Sequence, residues 1–166
     1  MQTLEQQMSV YLRYHRNAKN RATHFVGVPL IIFAILIPMS WAGVPIGGFT
    51  LTLAHVFVAT VLVYYFLLDI PLALAMVVVV GALLYFAQQV AALGYTTGGI
   101  WFLVCFVAGW ILQLIGHVFE GRKPALVDNF FQIFIAPIFL MAEIFFALGY
   151  KRDVAERVEK LSAPRL

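Results

Sequence analysis

Two polar stretches carry the residue types in this chain that could do metal chemistry. The first contains His15 and His24, and the second contains Gln113, His117 and Glu120. Imidazole and carboxylate groups together suit a divalent transition metal such as iron, zinc or manganese. Glu120 follows His117 by three residues, so both share one helix face if the helix continues that far. We therefore predict that the two stretches meet at a metal ion.

The spacing within the first stretch requires the chain to bend. His15 and His24 are nine residues apart, which on a straight helix leaves them about half a turn out of phase. We place the bend at Asn17 or Asn20. Asn20 precedes His24 by four residues and is predicted to hydrogen-bond the imidazole and fix its tautomer. Gln113 is predicted to do the same for the histidine of the second stretch, which it also precedes by four residues.

The remainder of the chain is strongly apolar. Hydrophobic residues make up 63% of its 166 residues and charged residues only 11%, whereas a soluble domain carries about a quarter charged residues. Lipid must cover such a surface, so we predict one integral membrane domain over residues 1–166. The net charge of +3 is small, which indicates orientation in a membrane and no nucleic-acid partner. The single cysteine, Cys105, excludes an intramolecular disulfide.

Hydropathy predicts an all-α integral membrane protein built as a helical bundle. A spanning helix needs about 20 apolar residues, and four stretches approach that length. We predict four full transmembrane helices at about residues 24–41, 49–68, 71–93 and 100–119. A fifth apolar helical segment, 130–148, contains Pro137 and is predicted either to cross the membrane or to be re-entrant. Polar helices are predicted at residues 4–20 and in the C-terminal tail.

Basic residues orient the predicted bundle. A basic cluster at residues 13–21 precedes the first span, and the positive-inside rule places it in the cytoplasm. Four crossings then return the chain to the cytoplasm at Arg122 and Lys123, which are basic as the rule expects. These two are interpreted mainly as orienting charges, and they also lie where they could bind a fatty acid carboxylate at the headgroups. A fifth crossing would place the basic tail outside, so a re-entrant segment is favoured.

This orientation divides the four histidines into a group of three and one outlier. His15, His24 and His117 fall at the cytoplasmic face. His55 begins the second span near the opposite face, about 20 Å away at ~1.5 Å per residue. We interpret His55 as a structural residue that bonds across helices or to headgroups. Spacing alone supports a three-histidine metal site and a set of helix-end histidines equally.

Three further carboxylates are relevant to the hypothesis of a metal site. Asp69 and Asp128 also fall at the cytoplasmic face and, with Glu120, remain alternative metal ligands. Glu143 lies inside an apolar run, where an acid is energetically unfavourable and is a functional candidate by default. We interpret Glu143 instead as a buried protonated carboxyl group near the far interface.

The two polar stretches resemble those of a known family, the membrane-embedded 2-hydroxy fatty acid dioxygenases of phytosphingosine degradation. The first resembling stretch runs from Tyr14 to Pro29, and the second covers residues 113–129. The likeness continues at Gln132, at Ala136 and Pro137, and at Glu143. The resemblance implies an iron(II)-dependent α-oxidation. In that reaction a 2-hydroxy fatty acid reacts with O2, loses its carboxyl carbon and leaves a fatty acid one carbon shorter.

The resemblance also implies roles for particular residues. It assigns the Fe2+ ligands to His15, His24 and His117. Glu120, Asn20 and Gln113 are expected to support catalysis, with Glu120 orienting a ligand or transferring a proton. The active face is expected to be cytoplasmic, in a bacterial inner membrane or in the endoplasmic reticulum of a eukaryote, with the acyl chain among the spans and membrane lipid around them. The oligomeric state stays open.

Three other functions fit parts of the pattern. A zinc-dependent membrane lipid hydrolase would keep the metal and change the reaction. A small membrane transporter or scaffold would use the histidines as helix caps and bind no stoichiometric metal. A bis-histidine haem protein would show a Soret band.

Overall fold

The computed structural model describes residues 2–121 and 132–163. Helices dominate the described residues, which confirms the all-α prediction apart from one short hairpin. The elements in chain order are α1 (Leu4–Arg13), α2 (Ala18–Met39), β1 (Gly43–Ile46), β2 (Phe49–Thr52), α3 (Leu53–Leu68), α4 (Ile70–Ala92), α5 (Tyr95–Glu120), α6 (Gln132–Ala147) and α7 (Arg152–Ser162).

Three of these helices are long and apolar enough to cross a membrane. They are α2, α4 and α5, with 22, 23 and 26 residues. Helices α3 and α6 are apolar but have 16 residues each, or about 24 Å at ~1.5 Å per residue, which is short of a hydrocarbon core of about 30 Å. The membrane character is therefore confirmed, whereas four full spans plus a fifth segment are not.

The predicted start of the second span is wrong. Residues 49–52 were assigned to that span, but they form β2, which pairs with β1 in an antiparallel hairpin. Gly47 and Gly48 make its two-residue turn, and Gly47 has a φ of 62°, the left-handed conformation that such turns require. Thr52 then caps α3. The hairpin explains why α3 is shorter than predicted.

The first span also begins earlier than predicted. It was assigned to residues 24–41, whereas α2 runs from Ala18 to Met39. His24 therefore lies in the second turn of α2 and not at its first residue. Asn17 caps the helix, since its side chain accepts a hydrogen bond of 2.9 Å from the Lys19 N–H. The cap lies outside the apolar run, so hydropathy alone does not locate it.

Both ends of the described chain pack at one face of the bundle. Helix α7 lies on α1, where Arg157 pairs with Glu5 at 3.2 Å. Lys151, just before α7, pairs with Asp69 at 2.6 Å, and Asp69 separates α3 from α4. The C-terminal tail therefore shares the face that carries the N-terminal helix.

Helix α6 reaches that same face at its C-terminal end. Glu143, in its last two turns, pairs with Arg21 of the first turn of α2 at 3.2 Å. The predicted position of Glu143 near the far interface is therefore wrong. The pairing with Arg21 holds α6 against the start of α2.

Close packing of α2 against α5 brings the two polar stretches together. A Cβ added to Gly109 would lie 2.7 Å from Cγ1 of Ile31, and one added to Gly27 would lie 3.0 Å from the Gly109 carbonyl oxygen. A Cβ added to Gly116 would lie 2.3 Å from Oγ1 of Thr23. Glycine at these points allows the backbones of the two helices to approach closely, as it does in many membrane bundles.

Candidate metal centre

The chain turns sharply between the first two histidines. Helix α1 ends at Arg13, and α2 begins at Ala18 after the Asn17 cap. His15 lies in the connection and His24 lies in α2, so the predicted bend is confirmed at Asn17. Asn20, the other predicted position of the bend, lies within the first turn of α2.

His15, His24 and His117 form one buried cluster. One ligand nitrogen from each ring lies within 4.8 Å of the other two. The three ring centroids are 4.6 to 5.1 Å apart, and the rings are steeply inclined to one another. The side chains are only 2%, 3% and 6% exposed. The structure thus brings together all three histidines that the sequence proposed as ligands.

Hydrogen bonds fix the tautomers of two of these rings. Nδ1 of His15 donates to the Tyr11 carbonyl oxygen at 2.8 Å, and Nδ1 of His24 donates to the Asn20 carbonyl oxygen at 2.9 Å. A carbonyl oxygen only accepts, so each Nδ1 carries the hydrogen and each Nε2 carries a lone pair. The predicted hydrogen bond between Asn20 and His24 is confirmed, and its acceptor is the Asn20 backbone carbonyl oxygen.

The two Nε2 atoms then face each other without a hydrogen between them. They are 3.1 Å apart, and burial lowers the pKa of His15 to about 3, with neighbouring His24, His117 and Arg21 lowering it further. A neutral imidazole carries one ring hydrogen, and in both rings that hydrogen is on Nδ1. The two Nε2 lone pairs therefore repel each other unless a cation lies beside them. His117 adds a buried Nδ1 that has no hydrogen-bond partner within the described ranges. These nitrogens fit a divalent transition metal, which binds neutral imidazole.

Tyr11 holds the first of these rings in place. Its ring stacks on that of His15, with centroids 3.8 Å apart and planes inclined by 4°, and it also contacts Phe139 of α6. Tyr11 was not among the site residues predicted from the sequence. Its spacing of four residues before His15 was the available signal.

Glu120 ties the His15 loop to the end of α5. Its carboxylate accepts hydrogen bonds from the backbone N–H of Arg16 at 3.0 Å, from that of Asn17 at 2.8 Å and from Nδ2 of Asn20 at 3.1 Å. Asn20 also donates to the Tyr14 carbonyl oxygen at 3.1 Å. Glu120 lies outside the group of ligand atoms found among the described residues. Its contacts favour the orienting role over direct ligation.

Replacing Glu120 with glutamine should weaken metal binding while leaving the fold intact. The carboxylate accepts hydrogen bonds from three donors, and the NH2 of the new amide would face at least one of them. Because two donors cannot bond each other, the His15 loop would loosen. We expect the metal affinity to fall about 10- to 100-fold, as is usual when a residue that orients a ligand is lost. Glu156→Gln, an exposed acid of α7, is the matched control. Equal iron(II) affinity in both variants, measured by competition with a chelator, would contradict this role.

Gln113 lies beside the cluster, but it contacts the Gly27 region of α2 and does not form the predicted hydrogen bond with His117. It is 7% exposed and lines a cavity of about 80 Å³ with the three histidines. No hydrogen bond forms between the described side chains of Gln113 and His117. The amide instead packs where α2 and α5 approach, with Nε2 3.1 Å from the position of a Cβ on Gly27.

The remaining predicted residues lie elsewhere. His55 bonds Thr52 Oγ1 at 2.8 Å and Gln88 Nε2 at 3.0 Å, which agrees with its structural interpretation. Asp69 caps α4 by accepting from the Leu72 N–H at 3.0 Å and takes no part in the histidine cluster. The predicted substrate ligands and the third alternative acid fall outside the described residues: Arg122, Lys123 and Asp128.

Comparisons with known proteins identify the family of this chain. The sequence matches a family described as 2-hydroxy-palmitic acid dioxygenase Mpo1-like over residues 1–148. It is 33% identical over 151 residues to 2-hydroxy-palmitic acid dioxygenase MPO1 of Saccharomyces cerevisiae, a match that covers 89% of this chain and 82% of the yeast protein. No solved structure matches. The chain therefore belongs to the Mpo1-like family of 2-hydroxy-palmitic acid dioxygenases.

Proposed function

We propose that this protein is an iron(II)-dependent 2-hydroxy fatty acid dioxygenase whose metal is held by His15, His24 and His117. The observation that carries the proposal is the pair of neutral imidazoles whose Nε2 lone pairs meet 3.1 Å apart in a buried site. The yeast relative, named for dioxygenase action on 2-hydroxy-palmitic acid, supports the substrate class. Membership of the family supports oxygen chemistry over the zinc hydrolase and the transporter or scaffold.

The overall reaction balances without an outside reductant. A 2-hydroxy fatty acid and O2 give a fatty acid shorter by one carbon, CO2 and water. The bond between C1 and C2 breaks, C2 is oxidised from an alcohol to a carboxylic acid, and the substrate supplies all four electrons that O2 accepts. No reductant other than the fatty acid is therefore needed.

The cavity beside the histidines suits the polar end of such a substrate. An apolar cavity of about 150 Å³ accommodates benzene, so a cavity of about 80 Å³ accommodates the C1 and C2 end but no long acyl chain. Apolar side chains form much of its wall, including Val28, Ile31, Trp110 and Ile133. We infer that the acyl chain continues from this wall along the apolar helices.

The residues of the chain prepare the site for the metal. Iron(II), when bound, supplies the redox chemistry that activates dioxygen. His15 and His24 present neutral Nε2 atoms because carbonyl oxygens hold their Nδ1 hydrogens. Tyr11 and Glu120 fix the loop that carries His15, and burial of the cluster limits access of water. The three side chains need little rearrangement before they bind the metal.

Product analysis tests the proposed reaction. The protein would be purified in detergent, loaded with iron(II) and supplied with 2-hydroxypalmitic acid, with and without oxygen. We expect pentadecanoic acid by mass spectrometry only in the presence of oxygen. Formation of the same product without oxygen, or of a hydrolysis product in its place, would overturn the assignment as a dioxygenase.

We also propose that the metal centre faces the cytoplasm and that α6 enters and leaves at that face. The ion pairs between Glu143 and Arg21 and between Lys151 and Asp69 support this topology. A fifth crossing would place the basic tail outside, against the positive-inside rule. In the proposed topology the tail stays on the cytoplasmic side with the basic cluster at residues 13–21.

Cysteine labelling tests this topology. In a Cys105→Ala background, single cysteines would replace Gln2, Glu156 and Thr97, which are all exposed. In intact cells we expect a membrane-impermeant maleimide to label the cysteine at 97 and to label the other two only after permeabilisation. Labelling of the cysteine at 156 together with the one at 97 in intact cells would show that α6 crosses.

A further inference from the structure

Gln132 is a buried polar residue outside the histidine cluster. It is the first residue of α6 and is 4% exposed. Its Oε1 is buried and has no hydrogen-bond partner within residues 2–121 and 132–163. A buried acceptor without a donor is unfavourable and rare in native proteins, so this atom calls for a donor that the described residues do not supply.

Gln132 lies at the cavity beside the candidate metal centre. It lines the same cavity as His15, His24 and His117, and Gln113 also lines it. The cavity is small, about 80 Å³, so a group bound at the histidines lies near this amide. One bound molecule could therefore contact both the unpaired acceptor and the metal site.

The chemistry of the substrate identifies the donor. A 2-hydroxy fatty acid at neutral pH has an ionised carboxylate, which only accepts hydrogen bonds. Its single hydrogen-bond donor is the hydroxyl on C2. A fatty acid without that hydroxyl offers Oε1 no donor and would leave it unpaired. Sites that hydrogen-bond a substrate hydroxyl reject the analogue without it, because their own polar group is then left buried and unpaired.

We infer that Gln132 is a specificity-determining residue whose Oε1 accepts a hydrogen bond from the 2-hydroxyl group of the substrate. The inference rests on the proposed function, since it takes the substrate class from there. It adds a residue outside the histidine cluster that distinguishes hydroxylated from ordinary fatty acids.

Binding without turnover tests this inference. Equilibrium binding of 2-hydroxypalmitic acid and palmitic acid would be measured on the iron(II)-loaded protein in the absence of oxygen. In Gln132→Leu we expect the preference for the hydroxylated acid to fall about tenfold, the size of one lost hydrogen bond to a hydroxyl. Binding of palmitic acid should stay the same or improve. Gln89→Leu is the matched control, because Gln89 is an exposed glutamine of α4 outside the cavity, and it should keep the full preference.

A second measurement separates the amide from the metal. After chelation of the iron, wild-type protein should still prefer 2-hydroxypalmitic acid to palmitic acid and to 2-oxopalmitic acid, which has an oxygen on C2 but no hydrogen to donate. Gln132→Leu should not distinguish the three. Tighter binding of the 2-oxo acid would mean that the amide donates through Nε2, and the inference would fail.

The possible failures are distinguishable. If iron(II)-loaded wild type shows no preference for the hydroxylated acid, the proposed substrate class is wrong. If the preference exists but Gln132→Leu retains it, or if it disappears when the metal is removed, the inference about Gln132 is wrong and the proposed function stands.

Discussion

Replacing His117 with alanine should remove bound iron and turnover together. The substitution leaves the Nε2 atoms of His15 and His24, which are 3.1 Å apart, as a two-nitrogen site. We expect turnover to fall by at least about 1,000-fold, since losing a ligand should exceed the roughly 10- to 100-fold loss seen when only an orienting partner is removed. Iron content would be measured by mass spectrometry on the same preparation as turnover.

His55→Ala is the control for this experiment. His55 bonds Thr52 and Gln88 outside the cluster, so its loss should leave iron content and turnover close to those of the wild type. A His117→Ala protein that kept one iron per chain and full turnover would contradict the proposed site.

Adding a single methyl group at Gly116 should disturb the centre nearly as strongly. A Cβ there would lie 2.3 Å from Oγ1 of Thr23, 2.4 Å from Oδ1 of Asn20 and 3.1 Å from Nδ1 of His24. Asn20 cannot move freely, because its Nδ2 donates to Glu120. We expect Gly116→Ala to separate α2 from α5, to cost roughly 1–3 kcal/mol of stability and to weaken iron(II) binding about 100-fold.

Gly81→Ala provides the comparison for this substitution. Gly81 lies in α4, and an added Cβ there would meet nothing within 4 Å, so thermal stability and iron affinity should stay the same or rise slightly. Wild-type iron affinity in Gly116→Ala would mean that the close approach of the helices does not position the histidines.

The cluster itself could be predicted because topology alone restricts it. His15, His24 and His117 are placed at one face by the direction of the spans, and the half-turn offset between the first two requires a bend. The structure confirms both points. Such reasoning uses only chain direction and helical period, which the sequence specifies well.

The atoms that make each contact could not be predicted in the same way. Spacing of four residues correctly linked Asn20 to His24, but the bond uses the Asn20 carbonyl because the side chain is turned to Glu120. The amide of Gln113 packs against the glycine contact between α2 and α5 and does not bond His117. Side-chain direction depends on tertiary neighbours, which the local sequence does not specify.

Two features of the fold show where hydropathy stops being informative. The apolar residues of β2 have the composition of the beginning of a span. The adjacent Gly47 and Gly48 indicate a turn between two strands. For α6, length and composition could not distinguish crossing from re-entry. The ion pair between Glu143 and Arg21 supports the proposed re-entry, and it joins residues that are distant in the sequence.

Titration of iron(II) into metal-free protein tests the central claim most directly. Oxygen-dependent formation of pentadecanoic acid from 2-hydroxypalmitic acid would be measured after each addition. A single centre made by three histidines predicts that turnover rises in proportion to iron and saturates at one iron per chain. Zinc should bind at the same site and abolish the reaction. Full turnover in the metal-free protein, or equal turnover with zinc, would contradict an iron-dependent dioxygenase at this site.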